Sequence, residues 1–470
     1  MTKIPMLEGL SEYKKLDLAP FSMPGHKLGR AFNKSILELI PSSDITEVEG
    51  LDNLHNPRGI IKEAQKLLKN CYKSKSSYFL VNGSSSGNLA MIFAAFQEGD
   101  KVLVERNCHK SIYNGIMLRK LKPIFLKNSV EKNNDVTLGI DLNNFLKVLE
   151  KESDIKGIIL TYPNYFGIGV NLKTIVNKCK EKDIKILLDA AHGAHFGFNK
   201  NLPENPLKYE IDMIVMSAHK TLPSLTQSAY LHINKEEYKE KIEFYLKIFT
   251  STSPSYIFLL TLDYSRYYLQ EKADKEYDIL IDRINIFKDN VKKVPYIKVM
   301  SKEDLGSEWI FDPTKIVITQ GKEYKSIDLE KYLLEKGVQC EMSFGRTVVL
   351  IATPFNTQED FDRLEKAILE LKLVKSENET YKGYNSYLEI QDGDIIEPYK
   401  ILDKATTLLD INYISGHIAA ENITPYPPGI PFIMLGEKIS NEKKDKLIEL
   451  LEDKIDIIGV QDGKVKVVSN

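Results

Sequence analysis

This sequence of 470 residues has few cysteines, no excess of either charge and no long apolar run. The four cysteines are scattered and form no CxxC pair, which argues against a disulfide framework or a zinc site and fits a reducing cytosol. Lys and Arg total 64 against 66 Asp and Glu, so the basic excess of a nucleic-acid-binding protein is missing. No stretch approaches the roughly 18 apolar residues of a membrane helix, and residues 1–20 lack the apolar segment of a signal peptide. We therefore expect a cytoplasmic globular protein with neither a nucleic-acid nor a membrane partner.

The chain has no internal repeats, and residues 78–233 alternate short apolar runs with amphipathic helical patterns. The predicted strands are Ser77–Val81, Lys101–Glu105, Pro123–Leu126, Gly157–Tyr162, Lys185–Ala190, Asp212–Ser217 and Ala229–Ile233. The helical patterns between them are Gly87–Glu98, Lys110–Lys120, Leu142–Lys151 and Leu172–Lys182. This order predicts an α/β fold with a mostly parallel seven-stranded sheet. Ligands of such sheets bind beyond the carboxyl ends of the strands.

The rest of the chain predicts a second, smaller unit and a C-terminal unit. A forty-residue helical pattern, Ser255–Val294, follows Pro254 and suits a helix that connects two domains. A small α+β domain follows, with strands Lys315–Thr319, Val338–Met342 and Thr347–Ala352 and helices Ile327–Lys336 and Glu359–Leu371. Our proposed division is an N-terminal arm (1–45), a large domain (46–255), the connecting helix and small domain (256–375), a linker (376–395) and a C-terminal domain (396–470).

The first segment whose side chains could bind a ligand is the serine-rich loop 81–88, between a predicted strand and a helix. Ser84, Ser85 and Ser86 offer hydroxyls beside a helix N-terminus, whose free N–H groups favour an anion such as phosphate. The loop lacks the Gly-Lys-Ser/Thr of a P-loop and the GxGxxG of a dinucleotide site. An ordinary capped turn is the alternative interpretation.

Asp189 ends an apolar strand, where a carboxylate is costly unless a cation accompanies it. A protonated pyridine nitrogen would be such a partner. A helix cap and a metal site are alternatives, since His192 and His195 follow at a spacing of three. No third ligand is evident nearby, so we predict no metal.

Lys220 follows His219 at another predicted strand end, far from any run of charges. A lysine there can lose its proton through desolvation and become the amine nucleophile of Schiff-base chemistry. The order of hydroxyl-rich loop, strand-end Asp and Ser-x-His-Lys is that of a pyridoxal 5'-phosphate (PLP) site. His109 follows a strand between the loop and Asp189, where it could stack on the cofactor ring, although a core histidine is the alternative.

Six segments together resemble the bacterial ornithine/lysine/arginine decarboxylase family of fold-type I PLP enzymes. They are residues 22–27 (SMPGHK), 44–55 (DITEVEGLDNLH), 106–111 (RNCHKS), 189–195 (DAAHGAH), 217–220 (SAHK) and 425–431 (PYPPGIP). They extend over nearly the whole chain. The family's longer members carry an N-terminal response-regulator-like domain, which we expect to be absent here because the first segment begins so early. Ala190 stands where many short relatives would have an acidic residue.

The resemblance implies the fold-type I large domain and PLP as the cofactor. It implies Lys220 as the covalent anchor, Asp189 on the pyridine nitrogen and His109 on the ring. The other implied cofactor contacts are Ser84, Ser85, Ser86, His192, Ser217 and His219. A dimer or tetramer with active sites at subunit interfaces is also implied, with Thr250 and Ser251 in a segment that reaches the phosphate of the partner subunit.

The implied reaction removes the α-carboxylate of lysine, arginine or ornithine as CO2, and Lys220 or His219 could return a proton to Cα. A cationic substrate tail needs acceptor oxygens. Glu421, before the proline-rich turn, is one candidate and Glu341 a weaker one, while Arg346 could meet the α-carboxylate. Alternatives are an aminotransferase or aldolase-like lyase of the same fold, and a non-catalytic PLP-binding paralogue.

Overall fold

A seven-stranded sheet forms the centre of the computed structural model, which describes residues 3–134, 136–321, 324, 326–372, 393–426, 429–452 and 455–469. In chain order its strands are β1 Ser76–Leu80, β2 Lys101–Glu105, β3 Lys122–Leu126, β4 Ile155–Thr161, β5 Lys185–Asp189, β6 Met213–Met216 and β7 Ala229–Ile233. Their order across the sheet is β1-β7-β6-β5-β4-β2-β3, and β7 alone among these seven runs against the others. The predicted mostly parallel seven-stranded sheet is confirmed.

Helices cover both faces of this sheet, which explains why its strands are continuous apolar runs and not alternating ones. In β5, Ile186 and Leu188 join the core on one face while Leu187 joins the core on the other. The helices of this region are Ile60–Tyr72, Gly83–Ala95, Lys110–Leu118, Leu142–Lys151, Leu172–Glu181 and Lys239–Phe249. Asp141 and Asn171 cap two of them with side-chain oxygens, which sets where those helices begin. Smaller strand pairs join Asn128–Glu131 to Val136–Ile140 and Ile168–Val170 to Trp309–Phe311.

The carboxyl ends of the parallel strands meet at one edge of the sheet. The chain leaves β1, β2, β5 and β6 there, so the loops that begin at Val81, Arg106, Ala190 and Ser217 converge. These are the four loops in which the sequence places candidate site residues.

The small domain has an antiparallel four-stranded sheet, in the order Ile297–Val299, Lys315–Gln320, Thr347–Ile351, Met342–Phe344. Helices Ser326–Glu335 and Gln358–Leu369 accompany it. The predicted strand Val338–Met342 is wrong in one respect. Val338–Gln339 leaves the sheet to pair with Ala19–Pro20 of the N-terminal arm, and a separate strand begins at Met342.

The single long helix predicted over Ser255–Val294 is also wrong. It is two helices, Tyr256–Glu271 and Ala273–Val291, that meet at Lys272, where φ is −130°. The break involves neither proline nor glycine. The Tyr268 hydroxyl donates to the Glu276 carboxylate across it, 2.7 Å away, and Ala273 is fully buried. This hydrogen bond and the buried alanine accompany a break that the helical periodicity does not show.

The C-terminal region has a three-stranded sheet of Thr406–Asp410, Lys464–Val468 and Val460–Gln461, with helix Asn441–Glu452. Thr424–Tyr426, at the start of the proline-rich turn, pairs with Asp456–Ile458. Arg106 joins this region to the large domain by donating to the carbonyls of Pro431 and Phe432 at 2.7 and 3.1 Å. The predicted linker lies outside the described residues up to position 392, and the domain boundaries stay a prediction.

The N-terminal arm contains helices Pro5–Lys15 and Lys34–Ser42. All four cysteines are free thiols. Among the described residues, no helix is both long enough and apolar enough to cross a membrane.

Candidate active site

Lys220 lies on a one-turn helix, Ala218–Thr221, that follows β6. Its Nζ is 3.0 Å from Nε2 of His192 and 5.8 Å from the centre of the Tyr165 ring. Burial lowers the pKa of Lys220, although the nearby Asp189 and Glu341 carboxylates oppose the effect. A lysine with a lowered pKa is the amine that Schiff-base chemistry requires.

The N-terminal arm supports this one-turn helix through Gly25. The Gly25 N–H donates to the His219 carbonyl at 2.7 Å, and a Cβ at this position would lie 2.6 Å from the Leu222 carbonyl oxygen. Only glycine permits so close an approach of two backbones. The conspicuous 22–27 segment of the sequence is therefore a support for the loop that bears Lys220.

Asp189 is buried at the end of β5, where two donors hold its carboxylate. The Asn88 side-chain amide donates to Oδ2 at 2.8 Å, and the Ala191 N–H donates to Oδ1 at 3.2 Å. Asn88 also donates to the Ser111 hydroxyl at 2.9 Å and so links the serine-rich loop's helix to the helix that begins after His109. Sequence reasoning missed Asn88. The available signal was a polar residue on a buried, otherwise apolar stretch of helix.

His109 is the N-cap of helix Lys110–Leu118, and its Nδ1 accepts from the Ser111 N–H at 3.2 Å. Because Nδ1 is an acceptor, the neutral ring carries its proton on Nε2. His109 is exposed as a residue, yet surrounding protein atoms lower the pKa of its ring by desolvation, while the charge of Asp189 acts in the opposite direction. A neutral, oriented ring near Asp189 and Lys220 suits stacking on a flat ligand.

The serine-rich loop opens helix Gly83–Ala95, and no side chain caps this helix at Asn82. The Ser217 hydroxyl donates to the Ser84 hydroxyl at 2.9 Å, and Ser85 is exposed, whereas Ser86 turns back to donate to the Gly83 carbonyl. The first turn of the helix and the hydroxyls of two loops therefore offer donors that suit an anion.

Thr250 and Ser251 lie beside the same loop of this chain. The Ser251 N–H donates to Asn82 Oδ1 at 3.3 Å, and the Ser251 carbonyl lies 2.8 Å from His55 Nε2. That this segment reaches the phosphate of a partner subunit stays a prediction.

The histidines of the site have distinct positions. His219 Nδ1 lies 2.9 Å from the Ser228 carbonyl, and burial lowers the pKa of His219 to about 4. His192 lies between two lysines, with Nε2 near Lys220 and Nδ1 3.2 Å from Nζ of Lys315. His195 points away, toward Asp312 at 3.2 Å. His192 and His195 thus do not converge on a common point as metal ligands would.

Of the three candidates for substrate contacts, the structure brings Glu341 to the site. Its carboxylate accepts from the Tyr165 hydroxyl at 2.7 Å and from the Met23 N–H at 2.8 Å. Arg346 is buried, and its guanidinium donates to the backbone carbonyls of Gln320, Lys132 and Asn133. Glu421 lies in the C-terminal region and forms no hydrogen bond or ion pair with the residues around Lys220 in the described part of the chain. Which of the two glutamates contacts the substrate stays a prediction.

These groups match the parts of one molecule. The anion site suits a phosphate, the buried carboxylate of Asp189 suits a protonated ring nitrogen, Lys220 suits an aldehyde, and His109 suits an aromatic face. Fold and site therefore define the class of fold-type I PLP enzymes.

Comparison with known proteins narrows this class to one family. Residues 4–360 match the model of the major domain of the Orn/Lys/Arg decarboxylases, and residues 397–456 match the model of their C-terminal domain. The chain belongs to the Orn/Lys/Arg decarboxylase family. It is a PLP-dependent amino-acid decarboxylase.

Two relatives and one solved structure illustrate the similarity. The arginine decarboxylase of Bacillus subtilis (strain 168) is 31% identical over 99% of this chain and 97% of the relative. The uncharacterized protein YaaO of the same organism is 33% identical over 97% of this chain and 96% of the relative. In fold, the chain is similar to the Francisella novicida lysine decarboxylase LdcF, with a TM-score of 0.81 at 21% identity over 99% of this chain and 83% of that one.

Proposed function

We propose that the protein decarboxylates a basic L-amino acid to CO2 and the corresponding polyamine precursor, and that arginine is its substrate, with agmatine as the product. The observation that carries the proposal is the carboxylate of Glu341, oriented by Tyr165 and Met23 beside the buried amine of Lys220. Relatives named arginine decarboxylase match at 31%, 29% and 30% identity, whereas a relative named lysine decarboxylase matches at 22%. Cadaverine from lysine and putrescine from ornithine are the other candidate products.

The proposed role of Glu341 follows from the lone pairs that its oxygens retain. Each oxygen accepts one hydrogen bond and keeps capacity for a second. A guanidinium presents paired N–H donors that match the two oxygens of a carboxylate, which an ammonium cannot do. Glu341 would thus hold the substrate's tail.

The bound cofactor would supply an electron sink for the electron pair left at Cα when the carboxylate departs. The chain's own residues would do the rest. Asp189, held by Asn88, would keep the ring nitrogen protonated, and His109 would fix the plane of the ring. Ser84, Ser85, Ser217, His219 and the free N–H groups of helix Gly83–Ala95 would bind the phosphate, with Ser86 and His192 in supporting positions. Lys220 would anchor the aldehyde and, together with His219, is a candidate to return the proton to Cα.

We also propose a homo-oligomer, a dimer or a tetramer, in which Thr250 and Ser251 contact the partner's cofactor. Both lie beside the serine-rich loop, and Ser251 is exposed, so a partner can reach the segment. Light scattering of the PLP-loaded enzyme would give the oligomeric state.

A product assay tests the proposed function. Purified enzyme loaded with PLP would be offered arginine, lysine and ornithine separately, with CO2 and amine products quantified. We expect agmatine to form fastest. A keto acid in place of CO2, or no turnover of any of the three substrates, would contradict the proposal.

Two variants sharpen the assay. Glu341→Gln should raise KM for arginine by at least tenfold, because the charged half of the tail contact is lost, a loss of about 1.4 kcal/mol or more. Glu421→Gln makes the same change at the other candidate glutamate, and because Glu421 has no described contact with the residues around Lys220, its KM should equal that of the wild type. Equal KM values for both variants would remove Glu341 from the substrate site.

A further inference from the structure

Lys315 is a fully buried lysine that none of the proposed steps uses. It begins a strand of the small domain, yet its side chain reaches the site of the large domain. Its Nζ lies 3.2 Å from Nδ1 of His192, and the other ring nitrogen of His192 lies 3.0 Å from Nζ of Lys220. The three side chains form a row in which one imidazole separates two amines.

The row restricts how many protons it can hold. A neutral imidazole has one N–H donor and one lone pair, so it donates on one side and accepts on the other. An ammonium group can only donate. When one amine is an ammonium that donates to the ring, the ring must donate to the other amine, which therefore needs a lone pair. A neutral His192 thus accommodates one ammonium in the row and one unprotonated amine.

The environment keeps His192 neutral. Its ring is buried, and burial together with the charges of Lys220 and Lys315 lowers the pKa of His192 well below its ordinary value. His219 and His195 act in the same direction from their own loops. A second proton on this ring would place an imidazolium in contact with an ammonium.

Charged groups surround both amines, but neither amine has a close counter-ion. Across the described residues, no carboxylate lies within 4.0 Å of Nζ of Lys315, and His192 is its one hydrogen-bond partner. Burial lowers the pKa of Lys315 to about 8, with Asp312 and Glu341 opposing and Lys220 adding to the effect. Around Lys220, Asp189 and Glu341 favour the ammonium form. The other titratable groups near the row are Lys27, His109, Tyr165, His195 and His219.

We propose that Lys220, His192 and Lys315 share a single proton, and that Lys315 is a positioning residue that takes the proton from Lys220 through His192. In this transfer the Lys220 ammonium gives a proton to Nε2 of His192, and Nδ1 of His192 gives its proton to the amine of Lys315. The products are an unprotonated Lys220, a neutral His192 of the other tautomer and a Lys315 ammonium. The net charge of the row does not change.

The consequence for function rests on the proposed Schiff-base role of Lys220. An amine attacks an aldehyde through its lone pair. A buried acceptor that removes the proton internally makes this lone pair available without proton exchange with water. The reverse transfer would return the proton to Lys220 whenever its amine is released.

Two measurements on the full-length, PLP-free chain test the proposal without relying on decarboxylation. In the first, the protein carries 13C at the ε-carbons of its lysines, and the NMR shifts of these carbons report amine protonation. The Lys220 and Lys315 signals are assigned by their absence in Lys220→Met and Lys315→Met. We expect the two residues to hold one ammonium charge between them at pH 7. Two full ammonium signals would overturn the proposal.

The second measurement follows the rate at which added PLP joins Lys220, by its visible absorbance, as a function of pH. Lys315→Met removes the proton acceptor, so the midpoint of the profile should rise by about one pH unit, and the rate at pH 7 should fall about tenfold. His192→Asn removes the imidazole at the centre of the row, and we expect the same change in midpoint and rate as for Lys315→Met. The double variant His192→Asn/Lys315→Met should react with PLP no more slowly than either single variant, because each substitution already interrupts the same row of side chains. An unchanged midpoint in Lys315→Met would overturn the proposal.

Lys443→Met is the matched control, since Lys443 is also a buried lysine, but its Nζ contacts the Phe432 carbonyl and the Glu437 carboxylate of the C-terminal region and no member of the row. It should lower stability but leave the midpoint in place. If Lys315→Met does not fold, Lys315→Arg assigns the Lys315 signal in its place, and the wild-type NMR titration then decides. A protein with the shared proton but no decarboxylase activity would contradict the proposed function and not this inference.

Discussion

The Asn88 side-chain amide donates to the Asp189 carboxylate over 2.8 Å, and this contact joins the helix of the serine-rich loop to the end of the central strand β5. The bond fixes one oxygen of a carboxylate that would otherwise be a buried charge with few partners. It therefore determines where the charge of Asp189 points.

Asp189→Asn tests this charge. The neutral amide keeps nearly the same shape and can still accept from Asn88, but it cannot stabilise a protonated ring nitrogen. We predict that the variant retains PLP and that its turnover falls by about 100- to 1,000-fold. Cofactor content from absorbance and CO2 release are the two measurements. Wild-type turnover in the PLP-loaded variant would exclude the proposed role of Asp189.

Lys220→Ala tests the covalent anchor. We predict that the variant binds PLP without a covalent link, because no other amine replaces Lys220 at this position. After borohydride treatment, the mass of the wild-type chain should increase by one reduced cofactor, and the mass of the variant should not. A covalent adduct in the variant would move the anchor to another lysine.

Gly25→Ala tests the support beneath the Lys220 helix. The added Cβ would lie 2.6 to 2.7 Å from backbone atoms of Thr221 and Leu222, so one of the two segments must shift. We expect a loss of about 1–3 kcal/mol in stability and weaker PLP binding, measured by thermal unfolding and by cofactor titration.

Gly9→Ala is the matched control for this prediction. Gly9 lies in helix Pro5–Lys15, and a Cβ added there would meet no other atom within 4 Å, so alanine should maintain or raise stability, by up to about 1 kcal/mol. Equal unfolding temperatures of the two variants would show that the contact of Gly25 with the Lys220 helix carries no strain.

His232→Gln tests a pH dependence of stability. His232 is fully buried, its ring lies 4.4 Å from that of Tyr72, and burial lowers its pKa from 6.5 to about 3. Below pH 6.5 the His232 ring binds a proton in the unfolded chain, whereas in the folded chain it stays neutral down to about pH 3. Stability therefore falls as the pH falls through this window, by about 1.4 kcal/mol per pH unit for this one group.

The variant lacks the titrating ring, so its urea-unfolding midpoint should fall less between pH 6.5 and pH 5 than that of the wild type. Ser77→Ala is the control, because it removes the hydroxyl 2.7 Å from His232 Nδ1 but retains the ring. Its pH dependence should match the wild type. Identical pH dependence in all three proteins would show that His232 does not contribute.

Local sequence was sufficient for the strands of the large domain. Apolar runs such as 185–189 are bounded by polar residues and separated by helical patterns, so their periodicity and order predict a parallel sheet. The break at Lys272 could not be predicted in this way. It carries no proline or glycine, and the hydrogen bond that spans it joins Tyr268 and Glu276 of the two helices.

The sequence singled out candidate residues that stand next to a strand end of the large domain, whereas it gave less guidance on residues that distant segments bring to the same place. Asp189 and Lys220 each end or follow a strand of the same sheet. Tyr165 follows the strand Ile155–Thr161 and Lys315 begins a strand of the small domain, but neither was singled out from the sequence, where Glu341 was ranked below Glu421.

Patterns along the chain predict the sheet and the order in which the serine-rich loop, Asp189 and Lys220 follow one another. This order indicates the class of cofactor. These features depend on neighbours in the chain and on the rule that parallel strands end at one edge. The tertiary structure alone decided which buried charges meet. The small domain places Lys315 against His192 and Glu341 against Tyr165, because contacts between distant segments depend on how the domains pack and not on local periodicity.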